Sequence, residues 1–351
     1  MKRGRKSGGV LARLALVASS ALLALVMTTL EVRFASAHSL RHDANDGGEI
    51  RWEEYTWYDA EYRFGINEWD ALGSVPIQRS ESDANLEFRD YQACGEGVLG
   101  HWMPGGGADL IAFNVCEMDK ISVFDRRATA VHEVGHALGL AHPSGSRKSN
   151  YWCNNSVMYF SSCKASLNTP QAHDRSDYYS LWSETAAGPP SRVEPSDTGY
   201  SSMEVRYAFD AMDLRELVGF ATNVFVGHVV EEINSEGAPL SGPGERVIPR
   251  TQFAVEVLKN VKGDAESTVT VSQTGGYDEE EGREVRVEGD SLLESGKKYM
   301  FVTSYDPEEE WYAVVAQPFG DVLVEGEARR RDVEERFEQA EEEQVSPDPT
   351  P

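Results

Sequence analysis

Val131 to His142 reads V-H-E-V-G-H-A-L-G-L-A-H, which places His132, His136 and His142 in the pattern H-E-x-x-H-x-x-G-x-x-H. On a helix, residues four apart project from one face, so His132 and His136 can grip one ion from successive turns. Gly139 can leave the helical conformation, because glycine reaches backbone angles that other residues avoid. The chain then swings round and His142 arrives as a third ligand from outside the helix. Three protein nitrogens and one open position describe a catalytic zinc, whereas a structural zinc is closed by four protein ligands. Glu133 stands next to the first ligand, where it can act as general base toward a water that the metal activates. The chain holds only 8 histidines, so their grouping here is not a by-product of composition.

Something must carry and flank this pattern. The stretch that carries His132 and His136 reads as a helix, with Asp125 as its predicted N-cap. Before it, Tyr58–Leu72 has the apolar spacing of another helix (Tyr62, Ile66, Trp69). Glu49–Trp57, Val75–Gln78, Asn85–Phe88, Val98–Met103 and Asp109–Val115 read as strands. After it, Asp174 can cap a last helix carrying Tyr178, Leu181 and Trp182. Strands mixed with segregated helices make an α+β domain over residues 38–185. Residues 38–48 read as loose and polar.

The chain has 351 residues, enough for two cores, and 40% hydrophobic content marks it as globular. Residues 1–37 read as a signal peptide. They carry a basic head (Lys2, Arg3, Arg5, Lys6), an apolar run from Leu14 to Leu30, and a small-residue cleavage site at Ala35-Ser36-Ala37. An uncleaved anchor is the alternative. The segment's six Lys/Arg against one Glu means that its removal takes the net charge from −26 to −31. Such acidity argues against nucleic acid or anionic membrane as partners, and no membrane insertion is expected after cleavage.

The expected setting is therefore secreted, and four cysteines in an exported chain suggest disulfides. Of three pairings, Cys94–Cys116 and Cys153–Cys163 are preferred; cysteine-ligated zinc is the alternative. Residues 186–202, rich in Gly, Pro and Ser, read as a linker. Residues 203–327 read as a run of strands after a short helix at Asp213–Ala221, the pattern of a small all-β barrel or sandwich. His228 reads as a strand surface residue. Glu279–Glu281 and Glu308–Glu310 read as solvated acidic loops; calcium is the alternative, and no D-x-D-x-D-G loop supports it. Residues 328–351 read as an acidic tail, a frayed helix followed by disorder.

With these residues in view, the chain resembles a metzincin zinc peptidase of the matrixin type. The H-E-x-x-H-x-x-G-x-x-H motif is the metzincin signature, and Ser156-Val157-Met158-Tyr159 is similar to its methionine turn. Leu99-Gly100-His101-Trp102 resembles the matrixin edge strand that lines the substrate cleft, and His173–Trp182 the C-terminal helix. The resemblance implies a mixed five-stranded sheet, one catalytic Zn2+ on His132, His136 and His142, Glu133 as base, Met158 beneath the metal, and a protein or peptide substrate. Pro143 follows the third histidine as in the serralysin branch, yet Phe160 replaces that branch's tyrosine. His101 stands alone where animal matrixins gather several histidines, so no structural zinc is expected, and no cysteine-switch motif is present. The 203–327 segment resembles OB-like domains of the netrin/TIMP type. Two other readings stand beside the peptidase. One is a secreted binding or adhesion protein with an inert metzincin scaffold. In the other, the β-domain docks on the cleft as an internal inhibitor.

Overall fold

Strand and helix periods in the first half of the chain match the elements that form. The computed structural model describes residues 38–40, 42–144, 149–162, 167–183 and 199–347. The predicted signal peptide, Cys163 and most of the predicted linker lie outside the described residues. Strands β1 (Ile50–Glu54), β2 (Ile77–Arg79), β3 (Leu86–Tyr91), β4 (Val98–Met103) and β5 (Asp109–Asn114) join in the order β2-β1-β3-β5-β4. All pairings are parallel except β4 against β5. Helix α1 (Asp59–Asp70) and helix α2 (Val123–Ala137) pack on this sheet around Tyr62, Ile66, Trp69, Phe88 and Val131. Helix α3 (Ala172–Trp182) closes the same core through Tyr178, whose hydroxyl accepts from the Ser74 and Val75 amides.

Helices α1 and α2 meet at a glycine. A Cβ on Gly65 would sit 2.8 Å from the Ala130 carbonyl carbon and oxygen, and both are backbone atoms. In an exposed helix, Gly→Ala gains stability; here the sign reverses, because backbone cannot yield. Gly65→Ala is expected to cost about 2 kcal/mol by overpacking, read as a lower denaturant midpoint at unchanged slope.

The N-cap of α2 is Ser122, not the predicted Asp125. The Ser122 hydroxyl accepts from the Asp125 amide at 3.2 Å, and Asp125 lies inside the first turn. Residues 38–40 and 42–44 are not loose either. Leu40 donates to Gly139 O, Ala44 to Ala137 O and Ala141 to His38 O, so this segment is laced to the end of α2.

The second half departs further from expectation. Strand β6 (Tyr200–Tyr207) forms inside the stretch read as linker and domain start. Helix α4 (Leu214–Phe220) follows, N-capped by Asp213. Strands β7 (Asn223–Pro239), β8 (Val247–Lys262), β9 (Thr268–Asp278), β10 (Arg283–Val287), β11 (Lys298–Asp306), β12 (Trp311–Val314) and β13 (Asp321–Leu323) complete the sheet. β7, β8, β9, β12 and β11 pair successively and return to β7, and only β9–β12 is parallel. This ring is the small barrel that the strand pattern predicts. It is not a separate unit, because β10 links β9 to β6, and β6 pairs with β4. One mixed sheet therefore runs through both halves. The tail forms the expected helix, α5 (Glu327–Glu342), packed rather than frayed: its Val333, Phe337 and Ala340 are buried.

Cys94 and Cys116 form the expected disulfide. Cys153 is also disulfide-bonded. No helix among the described residues is long and apolar enough to cross a membrane.

Candidate metal centre

The last turn of α2 builds the site. His132 and His136 share its inner face, both fully buried. Gly139, at φ +81°, ends the helix. The Gly139 amide donates to His136 O and the Leu140 amide to Gly135 O, the paired bonds of a Schellman close. The reversal brings His142 back over the helix. The three Nε2 atoms then lie 2.9 Å (His132–His136), 3.1 Å (His136–His142) and 3.2 Å (His132–His142) apart.

The other ring nitrogens fix the tautomers. His132 Nδ1 donates to Val157 O at 2.8 Å and His136 Nδ1 to Leu140 O at 2.7 Å. His142 Nδ1 donates to a Glu288 carboxylate oxygen at 2.6 Å. Each Nε2 therefore presents a lone pair to the other two, an arrangement that repels itself without a cation among them. Burial, then the neighbouring imidazoles and Arg206, hold His132 well below the ordinary histidine range. Burial and His142 do the same for His136. Neutral imidazole is the ligating form, so these residues fit a metal ion.

Glu133 is fully buried, and neither carboxylate oxygen has a hydrogen-bond partner among the described residues. Burial lifts its carboxyl well above the ordinary range, with Arg206 pulling the other way. Met158 is buried against Gly135, where a Cβ would lie 2.3 Å from its sulfur. The turn bearing it is held by Asp174, which accepts from Ser156 Oγ at 2.5 Å and the Val157 amide at 2.9 Å. Phe160 stacks on Phe319 and lies edge-on to His142.

Three residues in this centre escape sequence reading. Glu288 arrives from beyond β10. Glu204 and Arg206 come from β6, and both are buried. The Arg206 guanidinium lies 3.2 Å from His132 Nδ1 and donates to Val157 O and Tyr159 O. The alternation of Met203, Val205 and Tyr207 with Glu204 and Arg206 is a strand signal, but Ser201 and Ser202 lead into it from a stretch that reads as linker. A second group, His38, His173 and Asp177, could also hold an ion; there both rings share the Asp177 carboxylate at 3.2 and 3.3 Å.

Leu99, Gly100 and His101 were expected on an open edge. Instead β4 is paired on both sides, with Gly100 between Phe113 and Arg206, and His101 between Ala112 and Val205. His101 points into the core, edge-on to Tyr91, and neither of its ring nitrogens has a partner.

Burial lowers the His101 pKa to about 3. Below an unfolded value of about 6.5, the unfolded chain takes up a proton that the folded chain refuses. Stability therefore falls as pH drops from about 6.5 toward 3, by about 1.4 kcal/mol per unit for this group. His101→Leu is expected to flatten that slope between pH 6.5 and 4.5, measured as thermal midpoints of both chains. The ligand histidines titrate alike in the two and cancel in the difference.

No family model matches the chain, and no curated protein matches it. Among solved structures, a chain described as "GM1 bound form of the ECX AB5 holotoxin" aligns with 29% of this protein and 57% of its own length, at 20% identity and a TM-score of 0.23. That overlap carries no argument about this protein.

Proposed function

We propose that this protein is an exported zinc-dependent endopeptidase of the metzincin type, cutting peptide bonds with Glu133 as general base. The observation that carries the reading is the convergence of three Nε2 lone pairs beside a buried, unpartnered Glu133 carboxyl. Tetrahedral ligands on bonds of about 2.0–2.1 Å lie roughly 3.3 Å apart, close to the nitrogen separations here. His132, His136 and His142 would hold the ion. When bound, zinc supplies Lewis acidity that activates water near neutral pH and polarises the scissile carbonyl.

The chain's own residues do the rest. Glu133 takes a proton from the attacking water and passes it to the departing amine. Val157 O, Leu140 O and Glu288 keep the rings oriented. The disulfide at Cys94–Cys116 suits an oxidising compartment. The second reading is a secreted binding protein on an inert scaffold, favoured by one observation: β6 lies on the strand that a substrate would pair with. Metal analysis after chelation and reloading, followed by zymography on casein, separates the two. The peptidase reading expects one zinc per chain and a clearing band that a chelator abolishes. Stoichiometric zinc without cleavage, even after the groove is opened as described below, favours the scaffold.

A further inference from the structure

The groove over the three histidines is already filled. Its upper wall is β4; its lower wall is the segment 157–162 that follows the methionine turn. β6 lies between them. It runs antiparallel to β4, with Gly100 opposite Arg206, His101 opposite Val205 and Trp102 opposite Glu204. It runs parallel to the lower wall, where the Tyr207 amide donates to Phe160 O and the Ser162 amide to Tyr207 O. Both walls thus spend backbone hydrogen bonds on this strand. Glu204 and Arg206 are buried and face the histidines from it: a Glu204 carboxylate oxygen lies 3.7 Å from His142 Nδ1, and the Arg206 guanidinium 3.2 Å from His132 Nδ1.

We infer that β4 and the 157–162 segment form a docking groove for an extended peptide, and that β6 is its resident occupant. The chain carries its own competitor for substrate. This inference rests on the peptidase reading for its consequence, latency, but the filled groove is a matter of backbone pairing. Strand addition to a sheet edge is a common way to bind an extended peptide, and an edge already paired has no free ladder to offer.

The occupant is fastened far from the histidines. Met203 and Val205 bury their side chains in the core shared by the two halves. Beyond the end of β4, Glu281 accepts from the Gly106 amide at 2.7 Å and Arg283 donates to Pro104 O at 2.9 Å. Ser241 donates to Tyr55 O and accepts from the Asp90 amide. These contacts set how readily β6 leaves, and none of them touches the metal centre.

The test uses the full mature chain loaded with zinc, the double variant Glu281→Ala/Arg283→Ala, and Met203→Asp, which places a charge on the buried face of β6. Three quantities are read: hydrogen exchange at the Gly100–Met103 amides, affinity for a fluorescent peptide hydroxamate, and cleavage of a quenched peptide. Loosening β6 is expected to speed exchange, tighten hydroxamate binding and raise kcat/KM, each at least tenfold in one of the two variants, with zinc content unchanged. Met203→Asp is judged only if circular dichroism shows it folded; the double variant stands in otherwise. If hydroxamate affinity and kcat/KM of the parent lie within twofold of every folded variant, β6 does not block the groove and the inference is overturned. If hydroxamate binding rises tenfold but no chain cleaves peptide, the blocked groove stands and the peptidase reading falls.

Discussion

Glu133→Gln is expected to retain zinc and lose turnover by about 10²–10⁴-fold, the usual contribution of a positioned general base. The amide is nearly isosteric with the carboxyl, so the buried pocket stays filled, but it cannot accept a proton. The parent carboxyl lies fully buried, with both oxygens unpartnered among the described residues, so its loss breaks none of the hydrogen bonds described there. His136→Ala is the contrast. It removes one of three converging nitrogens and the bond from Nδ1 to Leu140 O. Metal affinity and activity should fall together. The measurements are zinc content and peptide cleavage, both made in a chain with β6 loosened so that access does not limit the result. Glu133→Gln cleaving at the parental rate would remove Glu133 from the chemistry whatever the metal content. Retention of one tightly held zinc by His136→Ala would remove the ligand assignment instead.

The sequence disclosed what depends on near neighbours. His132, His136 and His142 are within eleven positions, and a helix followed by a glycine reversal is enough to bring them together. The first five strands and α1 were legible for the same reason, since each buries a face set by its own period. Ends were read less well. Ser122 and Asp125 are three apart, the spacing at which a cap and its third helical residue answer each other, and Ser122 holds the cap that the sequence places at Asp125. The tail shows how composition can hide packing. Val333, Phe337 and Ala340 recur at helical spacing, but the charges around them read as a frayed, solvated helix, and only contact with the rest of the protein buries that stripe.

What could not be read was whatever depends on partners far along the chain. Tyr200–Tyr207 carries only a short alternation of its own, and pairing with β4 and β10 makes it a strand. Glu288 is 146 residues from the His142 ring it accepts from, and no spacing rule spans that distance. The same nonlocality misplaced Leu99, Gly100 and His101. A strand sequence does not say whether its second edge is free, so β4 looked open until β6 was seen to close it. The sheet continues from one half into the other through the same pairing.

Asp174→Ala is the second large effect, and it tests whether the methionine turn positions the metal centre. Asp174 is 1% exposed. It accepts from Ser156 Oγ at 2.5 Å, the Val157 amide at 2.9 Å and the Gln171 amide at 2.7 Å. Truncation would leave two buried donors and the half-buried Gln171 amide without their acceptor, at about 1–3 kcal/mol for each buried donor left unsatisfied; the expected total is about 3–5 kcal/mol. Asp174→Asn keeps one acceptor oxygen and should fall between. The consequence for the metal follows from Val157, whose amide is held by Asp174 while its carbonyl receives His132 Nδ1 at 2.8 Å. Freeing the turn frees the ring, and loss of an orienting partner of this kind weakens metal binding about 10–100-fold. Denaturant titration gives the stability, and competition with a chromogenic chelator gives the zinc affinity, both at a temperature where the variant is fully folded. A destabilised Asp174→Ala chain with parental zinc affinity would mean that the turn supports the fold alone and that His132 is oriented by α2 without help.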